Sequence, residues 1–182
     1  MNARIRPLLI LSALALAAAI AAAAPQTLQI PSGGPVILEG TELSGVVPPG
    51  FFYAGKSAPT QARNSAAARL PSNNYVLAGM VDTSGYSADV REVYQGFLIA
   101  DTRVSVGTGA LAPGAYGFGF TADGNFTVTD VGGNKLLAVP TTEDATLQRP
   151  RPLMMTKSGN NVRLYGGRRY VQISTAPVEP EL

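Results

Sequence analysis

The chain has 182 residues, among them 20 glycines and 14 prolines, and it contains no cysteine, histidine or tryptophan. These absences exclude a Ser-His triad, a cysteine nucleophile, a His/Cys zinc site and a disulfide. The whole chain carries 14 basic and 12 acidic side chains, but Arg4 and Arg6 lie at its start, so the rest is balanced at twelve of each. A balanced charge gives no general reason to expect nucleic acid or an anionic membrane as a partner.

Residues 1–24 have the pattern of a secretory signal peptide. Arg4 and Arg6 form a basic start, residues 8–20 are apolar and uncharged, and four alanines precede Pro25. The pattern predicts cleavage near Pro25, no transmembrane segment afterwards, and a periplasmic or secreted, extracellular protein. An uncleaved N-terminal anchor is the alternative, and a lipoprotein is excluded because no cysteine can carry the lipid.

Residues 25–74 predict an N-terminal β segment followed by a flexible loop. Residues 27–30 and 36–38 are short β-type runs that glycine and proline turns separate. Residues 56–74 are small and polar without a lasting apolar period, which is typical of a surface loop. A short helix over residues 60–69 is the alternative, since Pro59 suits a helix start and Pro71 would end it.

From residue 75 onward the sequence is a series of strand patterns. Residues 75–81 and 93–100 are apolar runs that predict central strands, and residues 102–106 alternate between apolar and polar. The predicted segments are a signal peptide at 1–24, a β segment and loop at 25–74, an antiparallel β region at 75–176 that forms one domain with 25–74, and a disordered tail at 177–182.

Asp123-Gly124 and Gly132-Gly133 predict the loops of a first three-stranded meander. If both loops have two residues, Thr121 lies opposite Phe126 and Asp130 lies opposite Lys135 as an ion pair. One face then collects four apolar side chains: Phe126, Val128, Leu137 and Val139. The opposite face collects three aromatic side chains: Tyr116, Phe118 and Phe120.

Ser158-Gly159 and Gly166-Gly167 predict the loops of a second meander, again with one apolar face. The expected core residues are Leu153, Met155, Val162, Leu164, Val171 and Ile173. The expected solvent-facing residues are Met154, Thr156, Arg163, Tyr165, Arg168, Tyr170 and Gln172. Because two meanders with one apolar face each have to pack together, the sequence predicts an all-β fold. The fold is an antiparallel β-sandwich or a small closed barrel of eight or nine strands.

Residues 111–116 have the sequence LAPGAY, in which proline sets a turn, glycine takes a strained φ and tyrosine begins a buried strand. This segment resembles the L-x-P-G-x-Y element of exported bacterial β domains, such as prealbumin-like or carboxypeptidase-regulatory-type modules and uncharacterised envelope proteins. The resemblance covers residues 100–139, and it implies a small β-sandwich without enzymatic activity.

The solvent-facing side of the second meander is the one candidate ligand site, consisting of Arg163, Tyr165, Arg168 and Tyr170. Between Ala145 and Val178 there are six basic residues and no acidic residue. Tyrosine rings and guanidinium groups exposed together can stack on sugars or bind phosphates and uronates. The alternative is that the arginines only cover the tyrosines of an ordinary solvated sheet.

Other chemistry has less support in the sequence. The close carboxylate pairs are Glu39/Glu42, Asp89/Glu92 and Glu143/Asp144, and solvated surface residues explain them better than the two facing carboxylates of a hydrolase do. The calcium-loop pattern is incomplete around Asp123, so we expect no metal and no cofactor.

We therefore expect an exported, non-enzymatic β domain with a structural, adhesive or assembly role in the bacterial cell envelope. The alternative is a carbohydrate- or polyanion-binding module that uses the Tyr/Arg face, and a carboxylate-dependent hydrolase is the least favoured hypothesis. The expected partner is an envelope protein or a polysaccharide, and not nucleic acid.

Overall fold

A computed structural model describes residues 33–71 and 73–175. The predicted signal peptide, the predicted strand at 27–30 and the predicted tail at 177–182 lie outside the described residues. The described part contains helices α1 (Gly40–Val46) and α2 (Ala88–Val93) and fourteen strands, and every strand pair is antiparallel. The strands are β1 (Val36–Ile37), β2 (Gly50–Tyr53), β3 (Lys56–Arg69), β4 (Tyr75–Val81), β5 (Gly96–Ala100), β6 (Val104–Val106), β7 (Gly109–Leu111), β8 (Gly114–Phe120), β9 (Asn125–Thr129), β10 (Lys135–Pro140), β11 (Thr142–Glu143), β12 (Arg151–Ser158), β13 (Asn161–Gly167) and β14 (Arg169–Thr175).

The strands form two sheets that pack face to face. The larger sheet has the order β1-β3-β4-β5-β8-β9-β10, with β2 paired to β3, and the smaller sheet has the order β12-β13-β14-β6-β7, with β11 paired to β14. Each sheet ends in unpaired strands, so the fold is an open β-sandwich and not a closed barrel. The predicted all-β sandwich is confirmed, with more strands than the eight or nine expected because several have only two or three residues.

The main core lies between the two sheets and contains the predicted apolar face of the second meander. All six predicted residues are buried there, including Val162, Leu164 and Ile173. They meet aromatic side chains of the larger sheet, where Phe118 stacks on Phe126 with ring centroids 5.3 Å apart. Alternation along each strand sends these side chains inward and their neighbours outward.

A second hydrophobic cluster covers the outer face of the larger sheet. The hairpin of β2 and β3 folds over this face, so that Phe51 and Tyr53 point inward and are buried, whereas Phe52 between them is 60% exposed. Phe51 stacks on Phe97 of β5 at 5.1 Å. The larger sheet is therefore covered on both faces by the protein's own chain.

Three tyrosines form the centre of this second cluster. The ring of Tyr53 stacks on Tyr94 at 3.8 Å, and Tyr86 packs edge-on against Tyr94 at 5.2 Å. The Tyr53 hydroxyl shares a 2.9 Å hydrogen bond with Thr129 Oγ1, and the Tyr86 hydroxyl donates to the carbonyl of Tyr53 at 3.0 Å. The Tyr94 hydroxyl is buried without a hydrogen-bond partner among the described residues, and burial raises the pKa of Tyr94.

The predicted loop at 56–74 is wrong over most of its length, because residues 56–69 form the long strand β3. Ala66, Ala67 and Ala68 are buried between the two hydrophobic clusters, Ala67 on one side and its neighbours on the other. Alanine has a low strand propensity, but here its burial against both clusters and its pairing with β4 outweigh that preference. The alternative prediction of a helix over 60–69 is wrong as well.

The segment before β5 also differs from the prediction. The predicted strand at 75–81 is confirmed as β4, but the predicted strand at 93–100 begins only at Gly96. Residues 88–93 form α2 instead, and Tyr94 after this helix enters the second cluster.

The first hairpin of the first meander, β8–β9, is shifted by one residue from the predicted register. Its loop has three residues, 122–124, because the Thr121 amide donates to the Asn125 carbonyl, and Gly124 takes the positive φ. The residue opposite Phe126 is therefore Phe120, whereas the sequence predicts Thr121 at that position. The prediction that Tyr116, Phe118 and Phe120 face away from Phe126 is therefore wrong, and all of these side chains lie in the main core.

The predicted ion pair between Asp130 and Lys135 is not formed. The second loop also has three residues, so that Lys135 pairs with Thr129, while the Asp130 carboxylate accepts hydrogen bonds from the Asn134 amide and side chain. A bulge between Lys135 and Leu137 then restores the predicted register, in which Val128 lies opposite Leu137.

The second meander is shifted by two residues from the predicted register. Its loops are residues 159–160 and 167–168, with Gly159 and Gly167 at positive φ. Met155 pairs with Leu164 and not with Val162. Because side chains alternate with a period of two, this shift leaves every residue on its predicted face.

The LAPGAY segment carries the chain from the smaller sheet to the larger one. Leu111 ends β7, and Gly114 begins β8. The Tyr116 hydroxyl donates to the Ala112 carbonyl at 2.7 Å. Gly114 does not have the strained φ that the sequence predicts. Glycine is required there because a Cβ atom would lie 2.9 Å from the Tyr116 hydroxyl.

Candidate functional site

The outer side of the smaller sheet, which we call the open face, is formed by outward side chains of β12, β13, β14 and β6. Arg163 and Tyr170 are half-buried here and Gln172 is exposed. Their inward neighbours, among them Leu164 and Val171, are buried in the main core. Within residues 33–71 and 73–175, the sandwich thus has one outer face covered by its own chain and one largely uncovered.

Arg163 and Tyr170 form the contact that the sequence predicts for this face. The Arg163 guanidinium lies over the Tyr170 ring with its Cζ atom 4.5 Å from the ring centroid. The Arg163 Nε atom is shielded from solvent and has no hydrogen-bond partner in the described part of the chain. The neighbouring Tyr165 hydroxyl, with smaller contributions from Tyr170 and Asp144, raises the pKa of Arg163, so it stays cationic.

Tyr165 does not lie exposed beside them, and the prediction of its exposure is wrong. Only 3% of Tyr165 is exposed, and its ring centroid lies 5.1 Å from that of Tyr170. The segment at 141–150 folds back over this end of the sheet, where Thr142 pairs with Tyr170. The Tyr165 hydroxyl donates to Asp144 Oδ2 at 2.9 Å.

Arg168 is exposed, but its guanidinium holds this same segment in place. Its Nη1 donates to the Leu147 carbonyl at 2.6 Å and lies 3.5 Å from the Ala145 carbonyl. The next residue, Arg169, donates to the Thr121 carbonyl at 2.9 Å. Of the four predicted site residues, the structure therefore leaves Arg163 and Tyr170 on the open face and gives Tyr165 and Arg168 structural contacts.

Asp144, which the sequence singles out only as a surface carboxylate beside Glu143, is a further residue of this site. Its Oδ1 accepts hydrogen bonds from the Thr146 hydroxyl and amide, and Oδ2 accepts from Tyr165. The Thr146 and Tyr165 hydrogen bonds lower the pKa of Asp144. The D-x-T spacing is a turn signal, but only the folded structure brings the carboxylate to Tyr165, where it balances part of the positive charge.

The predicted carboxylate pairs occupy separate elements at the surface. Glu39 and Glu42 lie at and after the start of α1, Asp89 and Glu92 lie in α2, and Glu143 lies in β11. A cleft of about 330 Å³ between α1 and β12 is lined by Glu39 and Arg151, and Glu39 is the only carboxylate among the described residues that line it. No group of three acidic side chains in the described residues is arranged to hold a metal ion.

Two further findings concern the whole described chain. Neither of its helices is long and apolar enough to span a membrane. No family model, curated protein or solved structure matches the sequence or the fold.

Proposed function

We propose that the protein is exported and acts, without catalysis, as a structural, adhesive or assembly component of the bacterial cell envelope. The observation that carries this proposal is the asymmetry of the sandwich. The outer face of the larger sheet is covered by the second cluster. The open face of the smaller sheet instead presents polar side chains, among them the half-buried Arg163 and the exposed Gln172. A rigid sheet with one uncovered polar face is suited to attachment.

Export is the first part of the proposal to test. The mature protein is expected to begin near Pro25 and to carry no lipid, because alanines precede this position and the chain has no cysteine. Mass spectrometry of the protein from fractionated cells measures both properties. An intact species starting at Met1 in the cytoplasm would contradict the proposal.

Attachment through the open face is tested by site-specific photo-crosslinking in the native cells. A benzophenone amino acid at Gln172 probes the open face, and the same group at Phe52, which is 60% exposed on the covered side, is the matched control. We expect an envelope component to crosslink at position 172 and not at position 52. Equal crosslinking at both positions, or none at 172, would overturn the proposal.

A second candidate function is a carbohydrate- or polyanion-binding module, and the Arg163 guanidinium that lies over Tyr170 on the open face favours it. A guanidinium that lies flat on a ring keeps its N–H groups in the plane parallel to the ring. An anionic group beside the ring can then accept hydrogen bonds from these N–H groups. Retention of the purified protein on an immobilised acidic polysaccharide tests this function, which fails if the wild-type protein is not retained.

A further inference from the structure

A row of polar side chains crosses the open face at right angles to the strands. Ser158 of β12 pairs with Asn161 of β13, and Ser174 of β14 pairs with Ser105 of β6. Because Val162 pairs with Ile173, Asn161 and Ser174 lie side by side. These four residues, which we call the polar row, are all partly exposed.

The dimensions of the polar row follow from sheet geometry. Neighbouring strands lie about 4.8 Å apart, so the row from Ser158 to Ser105 spans about 14 Å. Arg163 and Gln172 pair with each other and form a parallel row, about 7 Å further along the strands. The two rows together make a flat strip that is long enough for a short stretch of a linear sugar chain.

The hydrogen-bonding groups of the polar row are available to a ligand. In the described part of the chain, none of its four side chains makes a hydrogen bond within the protein. Hydroxyl and amide groups both donate and accept, as sugar hydroxyls do. The polar row contains no aromatic or large apolar side chain, which a protein partner would need at the centre of an interface.

The charge of the strip favours a sparsely charged polymer. Of the six described residues that form the two rows, Arg163 is the only cation, and the guanidinium groups of Arg168 and Arg169 are directed to backbone carbonyls outside the strip. Nucleic acid affinity depends on several phosphate contacts, which one cation does not supply. Asp144 nearby reduces the attraction for a single small anion, so useful affinity has to come from the hydroxyl contacts of a polymer as well.

We propose that this strip binds a linear polysaccharide containing uronic acids, which crosses the strands along the polar row and places one carboxylate on Arg163. The inference rests on the second proposed function and names its ligand class. Because the Arg163 Nε atom is shielded from solvent, the carboxylate binds the outer Nη groups of the guanidinium, where a charge-assisted hydrogen bond can form. The guanidinium is already fixed over Tyr170, so little rotamer freedom is lost on binding.

Affinity electrophoresis of the purified protein in polygalacturonate gels tests the proposal, with the fully methyl-esterified polymer as the uncharged probe. The Arg163→Gln variant is expected to bind polygalacturonate roughly tenfold or more weakly, because it loses a charge-assisted hydrogen bond. The matched control is Arg151→Gln, which removes one exposed positive charge from the edge strand β12 and should bind like the wild type. The double variant Asn161→Ala with Ser174→Ala should weaken binding to both polymers.

Several outcomes would overturn the proposal. They are no retardation of the wild-type protein by either polymer, equal losses for Arg163→Gln and Arg151→Gln, and stronger retardation by polyphosphate than by polygalacturonate. A steep loss of binding between about 50 and 200 mM salt would also contradict it, since a single cation gives a shallow salt dependence. If crosslinking at position 172 succeeds while polygalacturonate does not bind, the ligand class is wrong and the attachment role stands. Thermal melting of each variant confirms that the fold is intact.

Discussion

The hydroxyl of Tyr94 is buried and has no hydrogen-bond partner among the described residues, whereas the hydroxyl of Tyr53 in the same stack is hydrogen-bonded to Thr129. Removing the Tyr94 hydroxyl should leave the free energy of unfolding unchanged or raise it by up to about 1 kcal/mol, because an unsatisfied polar group is lost. Removing the Tyr53 hydroxyl should lower the free energy of unfolding by about 1 kcal/mol, because a hydrogen bond is lost. Urea unfolding of Tyr94→Phe and Tyr53→Phe measures both, and a larger loss for Tyr94→Phe would show that its hydroxyl has a partner.

The same tyrosine cluster predicts a loss of stability at alkaline pH. Burial raises the pKa of Tyr94 and Tyr86 in the folded protein above the value of about 10 in an unfolded chain. The unfolded chain then loses these protons first, so the free energy of unfolding is constant below about pH 9 and falls as the pH rises beyond about 10. Urea midpoints across this range should fall less steeply for Tyr94→Phe than for the wild type.

At the candidate site, the position of a residue in its strand predicts which face it lies on, but its exposure also depends on segments that are distant in the sequence. Alternation along β13 and β14 correctly predicts that Arg163 and Tyr170 share the outward face and that Leu164 and Val171 are buried. Alternation does not predict the burial of Tyr165, because this depends on a segment some twenty residues earlier that returns to the sheet through Asp144. Local patterns contain no information about that return.

At the scale of elements, the two sheets are in close contact where Phe120 of β8 packs on Gly166 of β13. A Cβ atom at Gly166 would overlap the Phe120 ring. Gly166→Ala should therefore lower the free energy of unfolding by roughly 1–3 kcal/mol. Gly85→Ala is the matched control, because a Cβ atom at Gly85 meets open space and its φ is not positive.

A double-mutant cycle distinguishes this overlap from a backbone effect. In a Phe120→Leu background the smaller side chain leaves room, so the cost of Gly166→Ala should fall by about 0.5 kcal/mol or more. An unchanged cost would mean that the alanine acts through the conformation of β13, and not through the Phe120 ring.

Loop length explains why one meander is predicted on the correct faces and the other is not. In the second meander the assumed loops place the pairs two residues away, and Met155 still faces the core. In the first meander the loop at 122–124 has one residue more than assumed, which moves Phe118 and Phe120 onto the face of Phe126. Asp-Gly fits both loop lengths, so the dipeptide alone does not decide between them.

The long strand β3 shows that amino-acid composition alone does not predict every strand of this fold. Its alanines and polar residues resemble a loop, and only the pairing of Ala66 to Arg69 with β4 identifies them as a central strand. Strand propensity is largely a measure of how well a side chain fits its neighbours. Those neighbours, in the main core and in the second cluster, are distant in the sequence.

At the scale of the whole molecule, the larger sheet lies between two hydrophobic clusters and contributes side chains to both. Ala67 and Phe97 face the second cluster, and Ala68 and Leu98, adjacent to them, face the main core. We therefore expect the described domain to unfold in one cooperative step. Near-UV circular dichroism, which reports the stacked tyrosines, and far-UV circular dichroism, which reports the strands, should give the same urea midpoint. An earlier near-UV transition would show that the β2–β3 hairpin opens independently.

The bulge in β10 has a consequence for how the protein behaves at high concentration. β10 is the free edge of the larger sheet, and it combines this bulge with Lys135 at its start and Pro140 at its end. Charge, proline and a local twist each oppose the addition of a strand from another chain. At the opposite edge, β1 offers only two residues. Within the described residues, growth into fibrils by edge-to-edge pairing is therefore disfavoured at both ends of this sheet.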